Sequence, residues 1–399
     1  MAKINIEKKK IDEILDRGVV VGALPSMREF KEKLLKGKKM RFYMGADPTS
    51  PSLHLSHAKN YMLLEELRKL GHEVIVLIGD FTARIGDPSG EGDTRRQLSS
   101  KEIKGNVKEW LSQISPLMDF SAKENPPRIL YNSKWLSKLT MEEIIKLASN
   151  FTVQQMVERD MFQERIKRNK PVFLHEFLYP LLQGYDSVDM DVDVELCGTD
   201  QIFNALAGRT LLKKIKNKEK FVLIVNLMEN PKTKELMSKS RGTGVFLGSS
   251  SSDMFRAIMA QPDEMTEIFL VNNTRLGLDR VKEILKEKPM DSKKIAAFEI
   301  VKIFHGKDRA ETARTSFEKT IQGGVFSDAE DESAVKSGEK LKDCLINFGY
   351  VSSGAEFRRL IGAGAIEFEG EVVKDVHYKI KKPGVVRIGK KKFIKLKIS

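Results

Sequence analysis

Residues 40–78 read MRFYMGADPTSPSLHLSHAKNYMLLEELRKLGHEVIVLI, and this stretch decides the fold. The start, 40–45, predicts a strand, and the polar turn after it leads into a helix over 54–70 with leucines on one face and Gly71 past its end. The apolar run 74–78 is typical of a strand covered on both faces in a parallel sheet. Together they predict a β-α-β unit with a right-handed crossover.

Later segments extend this sheet. Glycine-rich turns at 79–90 and 198–200 and the apolar run 221–225 predict further strand ends, and ligands bind at such carboxyl ends. Between the turns, residues 106–177 have a mostly helical pattern. We expect an α/β domain over 1–250, with a helical insertion large enough to carry a subunit contact.

The remaining chain predicts smaller parts. Residues 251–322 are helical in pattern, and 323–338 (GGVFSDAEDESAVKSG) have the polar, acidic composition of an exposed linker. In a last domain, 339–399, the segment 353–361 predicts a short helix before the alternating IEFEGEVV and the basic, strand-like KKKFIKLK. The last domain is therefore predicted to be α+β.

Composition excludes several classes of protein. The 399 residues are 41% hydrophobic and 31% charged, without an apolar run long enough for a membrane span, and the Lys-rich start differs from a signal peptide. We expect a cytoplasmic protein. Cys197 and Cys344 are the only cysteines, so neither a disulfide framework nor a cysteine-rich zinc site is available, and no metal site is expected.

The positive charge is concentrated near the end of the chain. The net charge is +13, and residues 340–399 carry 14 Lys and Arg against 6 Asp and Glu, a net charge of +8. A positive net charge is compatible with an ordinary soluble surface. The clustering of positive charge in one small domain, however, favours a polyanionic partner such as a nucleic acid.

Two short motifs carry candidate chemistry. HLSH, residues 54–57, lies where a turn enters a helix, and helix amino ends hold phosphate. LMSKS, residues 236–240, places Lys239 on a glycine-flanked segment that could close on a phosphate. The alternatives are a capped helix with two surface histidines and a solvated lysine.

Together the motifs resemble the HIGH and KMSKS signatures of class I aminoacyl-tRNA synthetases, in the same order and separation. The segments RFYMGADPTSPSLHLSH, IGDFTARIGDPSG, FLYPLLQGYDS and LCGTDQ are similar to segments of bacterial-type tyrosyl-tRNA synthetases. SGAEFRRLIGAGAIEFEGEVV resembles an S4-type RNA-binding domain. The resemblance covers almost the whole chain.

This resemblance implies a Rossmann-like catalytic domain, an α-helical domain that contacts tRNA at 251–322, and an S4-like RNA-binding domain. It implies activation of L-tyrosine by ATP to tyrosyl-adenylate, followed by transfer to the 3′-terminal adenosine of tRNA(Tyr). ATP would be a substrate, with Mg²⁺, and no tightly bound cofactor is expected. The implied partners are tRNA(Tyr), L-tyrosine, ATP and a second copy of the chain, without a membrane.

The resemblance also implies site residues. The substrate phenol would meet Tyr43 and Asp186, and the tyrosine pocket would be completed by Thr82, Asp87, Tyr179, Gln183 and Gln201. Residues implied for ATP or the adenylate are Gly45, Asp47, His54, Ser56, His57, Gly198, Asp200, Met237 and Lys239. Those implied for catalysis are Thr49, His54, His57, Arg95 and Lys239. Those implied for RNA binding are Arg358, Arg359, Lys390, Lys391 and Lys392.

Three positions depart from the family pattern. Ser56 replaces a glycine that lets adenine approach the backbone, Leu236 replaces the first lysine of KMSKS, and Glu91 stands where a basic residue is common. These departures leave open a catalytically silent homologue that binds structured RNA. A tryptophanyl-tRNA synthetase would share the signatures, but it would not be expected to carry the Tyr43 and Asp186 pair.

Overall fold

The computed structural model describes residues 4–88, 98–158, 160–237, 244–323, 332–351, 353–389 and 392–398. The chain divides into two compact units, Met1–Lys307 and Asp308–Ser399. The first is an α/β unit built on a largely parallel sheet, and the second is a small α+β unit. The predicted fold class is confirmed, whereas the domain boundaries stay a prediction.

The first unit contains both strands and helices. The strands are β1 (Val20–Leu24), β2 (Arg41–Ala46), β3 (Glu73–Ile78), β4 (Arg128–Tyr131), β5 (Val194–Gly198) and β6 (Phe221–Val225). The helices are α1 (Lys8–Leu15), α2 (Met27–Leu35), α3 (Leu55–Lys69), α4 (Ser100–Ile114), α5 (Ser133–Leu136), α6 (Met141–Ala148), α7 (Val153–Val157), α8 (Asp160–Lys167), α9 (Leu174–Asp189), α10 (Ile202–Lys216), α11 (Ser251–Met259), α12 (Met265–Asn273), α13 (Leu278–Ile284) and α14 (Pro289–His305). Short 3₁₀ turns cover Thr82–Arg84 and Thr199–Gln201.

The sheet has the strand order β1-β6-β5-β2-β3-β4. Strands β6, β5, β2, β3 and β4 are parallel, with Met44 of β2 opposite Val76 of β3. Helix α3 connects β2 to β3, so the predicted β-α-β unit is confirmed. The chain proceeds outward from β2 in one direction and from β5 in the other, which makes the crevice between these two strands the place where ligands bind in such sheets.

Strands β1 and β4 differ from the prediction. β4 lies within 106–177, which was predicted to be mostly helical, and it pairs in parallel with β3. β1 is antiparallel to β6. Both are edge strands. β4 is only partly buried, and the place of β1 in the sheet depends on its distant partner β6.

The second unit begins in helix α15 (Lys307–Gly323). It continues with the elements β7 (Glu332–Val335), α16 (Leu341–Asn347), α17 (Gly354–Gly362), β8 (Ile366–Phe368), β9 (Glu371–Val372), β10 (Gly384–Ile388) and β11 (Lys392–Ile398). Its sheet has the order β7-β11-β10-β8-β9 and shares a buried apolar core with α16 and α17. In the described part of the chain, none of the helices has both the length and the apolar character that crossing a membrane requires.

The stretch 323–338, predicted to be a linker, is not linker throughout. Its residues Glu332–Val335 form β7, which pairs in parallel with β11, and Val335 is 2% exposed. The acidic composition of the stretch does not indicate a strand. The partner of β7 is β11, at the other end of the unit in sequence, so no local pattern predicts the pairing. The predicted helix at 353–361 is confirmed as α17.

Candidate active site

A cleft of about 600 Å³ opens at the carboxyl ends of β2, β3, β5 and β6. Most of the side chains predicted to bind tyrosine or ATP line it. They are Tyr43, Gly45, Asp47, Thr49, His54, Ser56, His57, Thr82, Asp87, Tyr179, Gln183, Asp186, Gly198, Asp200 and Gln201. Met237 is not in the lining: it is 8% exposed, and its backbone N–H donates to the carbonyl of Met228 at 3.2 Å.

Two deeply buried polar side chains occupy one end of the cleft. Tyr43 on β2 is 1% exposed and Asp186 on α9 is 2% exposed. The Asp186 carboxylate accepts hydrogen bonds from Trp135 Nε1 at 2.7 Å and Asn132 Nδ2 at 3.3 Å. Burial raises the pKa of Asp186 well above its usual value, against the effect of these two donors. The pair can offer hydrogen-bond partners to a hydroxyl group at a buried position of the cleft.

Asp47 joins several residues that were predicted for tyrosine binding. Its two carboxylate oxygens accept from Thr82 Oγ1 at 2.6 Å and from the Tyr179 hydroxyl at 2.9 Å. At Gly79 a Cβ atom would lie 2.0 Å from Asp47 Oδ1, so this close approach requires glycine. Asp47, predicted for the nucleotide side, therefore lies at the junction of both sides.

Other polar residues surround this junction. Gln201 Nε2 donates to Asp87 Oδ2 at 2.7 Å, and Gln183 Nε2 donates to Glu195 Oε1 at 3.0 Å. Gln183 follows Tyr179 by one helical turn on α9, and Asp186 follows it by two, so one helix face supplies all three side chains. These carboxylates and amides can hold an ammonium group.

The start of α3 forms another part of the cleft lining. His54 is the N-cap, its backbone N–H donates to His57 Nδ1 at 3.2 Å, and the two imidazole rings lie 4.0 Å apart between centroids. Burial lowers the pKa of His54 to about 4 and that of His57 to about 3, so both rings are neutral at pH 7. Because His57 Nδ1 accepts, its neutral ring carries the proton on Nε2. The rings can act as neutral donors beside a helix amino end.

The segment after the second motif is hydrogen-bonded to this helix start. Leu55 N–H donates to the Val245 carbonyl at 3.0 Å, and Leu247 N–H donates to the Leu53 carbonyl at 2.9 Å. The chain on the far side of residues 236–240 is thereby joined to residues 53–55.

Comparison with known proteins places the chain in a family. The family described as tRNA synthetases class I (W and Y) matches residues 35–322. A tyrosine–tRNA ligase from Carboxydothermus hydrogenoformans is 37% identical, with 98% of each chain aligned. The chain belongs to the class I tRNA synthetases of the W and Y group.

Solved synthetase structures share the fold. A truncated mitochondrial tyrosyl-tRNA synthetase from Aspergillus nidulans has a TM-score of 0.67 at 21% identity, covering 78% of this chain and 94% of its own. A tyrosyl-tRNA synthetase from Archaeoglobus fulgidus, solved with L-tyrosine, has a TM-score of 0.59 at 18% identity, covering 78% and 100%. These likenesses support the Rossmann-like arrangement of this synthetase.

Some residues that the resemblance implied for a synthetase lie elsewhere. Arg358 and Arg359 are exposed on α17 of the second unit. Lys392 begins β11, and nothing is described of its side chain. Outside the described residues lie Glu91, Arg95, Lys239, Lys390 and Lys391.

Lys59 is a cleft residue of this synthetase that the motifs did not predict. It is 2% exposed, lines the cleft and donates to Asn60 Oδ1 at 2.8 Å. Burial lowers its pKa to about 7, although the negative charge of Asp200 acts in the opposite direction. The sequence contained one indication that Lys59 is buried: Lys59 lies four residues from both Leu55 and Leu63, on the same face of α3.

Proposed function

We propose that the chain is a tyrosine–tRNA ligase, which activates L-tyrosine with ATP and transfers it to the 3′-terminal adenosine of tRNA(Tyr). The observation that carries this proposal is the buried pair of Tyr43 and Asp186 in the cleft. A phenol hydroxyl can pair with both groups, whereas phenylalanine offers neither of them a hydrogen bond in a desolvated site.

The rest of the tyrosine side follows from the polar groups at the junction. Asp87, Tyr179 and Gln183 hold the substrate ammonium in this proposal. Thr82 orients Asp47, and Gln201 orients Asp87. The hydrogen bonds from Thr82 to Asp47 and from Gln201 to Asp87 support it, because they fix carboxylates beside the position of the amino acid.

The nucleotide side needs no covalent nucleophile. The tyrosine carboxylate attacks the α-phosphorus of ATP, which enters as its Mg²⁺ complex, and the bond to pyrophosphate breaks. Thr49, His54 and His57 face the phosphates in this proposal, and Gly198 and Asp200 face the adenosine. Lys239 and Arg95 remain predicted cations for the departing pyrophosphate.

Lys59 is expected to add positive charge on this side. Lys59→Met should raise the KM for ATP about tenfold, the effect of one charged hydrogen bond, and leave the KM for tyrosine unchanged. Because the amine is protonated below its pKa of about 7, the KM for ATP of the unaltered protein should rise with pH across this value. Pyrophosphate-exchange kinetics between about pH 6 and 8.5 measure both effects.

A suitable control is Lys69→Met, which removes an exposed lysine from the end of the same helix. Lys59→Met kinetics with an unchanged KM for ATP at every pH would contradict the assignment of Lys59 to the nucleotide side.

We propose that tRNA is bound through the second unit as well as the cleft. Exposed Arg358 and Arg359 on α17 and the net charge of +8 over 340–399 support this part. Lys390, Lys391 and Lys392 are included as predicted contacts.

We propose that the synthetase is a homodimer through its helical insertion. Several large apolar side chains there are 62–80% exposed, which favours burial against a second copy. They are Met141, Ile145, Val153 and Leu174. Sedimentation velocity of the full chain at micromolar concentration tests this, and a stable monomer would exclude it.

The proposed function is tested by ATP–pyrophosphate exchange with a panel of amino acids. We expect exchange that depends on tyrosine and not on tryptophan or phenylalanine. A folded protein that binds tRNA without supporting exchange would instead fit the silent RNA-binding homologue.

A further inference from the structure

A buried ion pair lies beside the predicted tyrosine pocket, and its glutamate lines the cleft. Lys220 precedes β6 and Glu195 lies on the neighbouring β5, and their side chains are 0% and 3% exposed. Lys220 Nζ forms an ion pair with Glu195 Oε2. Burying two charges costs more solvation than a surface pair and is rarely the most stable solution, so a role beyond stability is a reasonable hypothesis here.

The lysine is connected to Tyr43 through a serine. Lys220 Nζ donates to Ser187 Oγ at 2.8 Å, and Ser187 Oγ lies 2.8 Å from the Tyr43 hydroxyl. An ammonium group can only donate, so Ser187 must accept from Lys220. Its own proton can go to the Tyr43 oxygen, the nearer of its two acceptors at 2.8 Å, or to Glu195 Oε2 at 3.5 Å, and the shorter distance favours Tyr43. In that arrangement the Tyr43 proton is available to a ligand.

The glutamate fixes a second group of the pocket. Gln183 Nε2 donates to Glu195 Oε1 at 3.0 Å. A carboxylate only accepts, so it must face the NH₂ end of the amide, and Gln183 Oε1 is left to accept from a ligand. In this arrangement the two charges assign a donor to Tyr43 and an acceptor to Gln183.

The surrounding fold leaves room for this arrangement. A Cβ atom at Gly208 on α10 would lie 2.6 Å from Lys220 Nζ and 2.8 Å from Ser187 Oγ. A Cβ at Gly184 on α9 would lie 3.1 Å from the backbone nitrogen of Gly208. The two glycines thus allow α9 and α10 to pack closely and leave space for the Lys220 side chain beside their contact.

We propose that Lys220 and Glu195 are positioning residues that set the hydrogen-bond polarity of the tyrosine pocket. Tyr43 donates to the substrate phenol oxygen, the phenol donates its proton to Asp186, and Gln183 accepts from the substrate ammonium. This inference rests on the proposed function and adds residues that determine its specificity through Tyr43 and Gln183.

Three variants test the inference by pyrophosphate exchange with tyrosine and with phenylalanine. Lys220→Met and Ser187→Ala both interrupt the path to Tyr43, and each should lower the tyrosine-to-phenylalanine ratio of kcat/KM about tenfold or more, with the KM for ATP within about twofold. The double variant Lys220→Met with Glu195→Gln should recover most of the ratio, because the introduced amide can donate toward Ser187 and accept from Gln183.

The control is Lys213→Met, which breaks an exposed pair with Glu219 in the same region and should leave the ratio unchanged. The inference is wrong if Ser187→Ala and the double variant fold and show the same kcat/KM ratio as the unaltered protein, and Lys220→Met lowers only Tm. The ion pair would then have a structural role. Failure of the proposed function would look different, since the unaltered protein would then lack tyrosine-dependent exchange.

Discussion

Replacing Asp186 by alanine is expected to lower the tyrosine-to-phenylalanine ratio of kcat/KM by about a hundredfold or more. A site built to hydrogen-bond a substrate hydroxyl rejects the analogue without it by about 10⁴–10⁵, a range for which tyrosyl-tRNA synthetase is itself the reference case. The variant removes the buried acceptor, so tyrosine loses its advantage while phenylalanine loses little. The KM for ATP should change far less, because Asp186 is assigned to the substrate phenol and not to ATP.

Asp186→Asn separates the lost acceptor from structural damage. In Asp186→Ala, Trp135 Nε1 and Asn132 Nδ2 lose a buried acceptor, which costs about 1–3 kcal/mol of stability for each unsatisfied group. The asparagine variant can retain one of these bonds and should still lose selectivity. Asp189→Ala, an exposed change on the same helix, serves as the control. An unchanged ratio in folded Asp186 variants would remove Asp186 from the phenol site.

Truncation after residue 323 is expected to separate the two steps of the reaction. Tyrosine-dependent exchange should persist within about twofold, because the residues that line the cleft all precede residue 228. Aminoacylation of tRNA should fall about a hundredfold or more, since the charge of +8 over 340–399 is removed. The cut belongs before β7 and not at Gly338, because Glu332–Val335 is part of the second sheet.

Salt dependence distinguishes RNA binding from a stabilising role of the second unit. Phosphate contacts release counterions, so the plot of log K against log salt should be steeper for the full chain than for the truncated one. A full-length protein with Arg358→Ala and Arg359→Ala should show an intermediate slope. Equal slopes and equal KM for tRNA in all three folded proteins would mean that this unit does not bind RNA.

Local sequence patterns predicted the centre of the sheet. Strands β2 and β3 and helix α3 are strongly patterned over 40–78, and the parallel pairing of the strands follows from the helical crossover that joins them. β1, β4 and β7 were missed because each is a short edge strand whose identity depends on a distant partner.

The same limit applies within the site. Motif resemblance identified Tyr43 and Asp186, but Asn132 and Trp135, which hold Asp186, are more than fifty residues away in sequence. Lys220 directly precedes the apolar strand β6, and Glu195 lies within the apolar strand β5. A charged residue at such a position is unusual, but its partner cannot be predicted without the helix packing around Gly208.

The strand order of the second unit has a consequence for biosynthesis. β7 is made before the other strands of its sheet, but its partner, β11, is made after them and also pairs with β10. During synthesis on the ribosome, β7 therefore has no strand to pair with until α16, α17 and the strands from β8 to β10 have emerged. The sheet cannot form strand by strand from its amino end. Pairings between segments so distant in sequence form slowly. We expect the nascent chain to fold its first unit early and its second unit late, in one cooperative step.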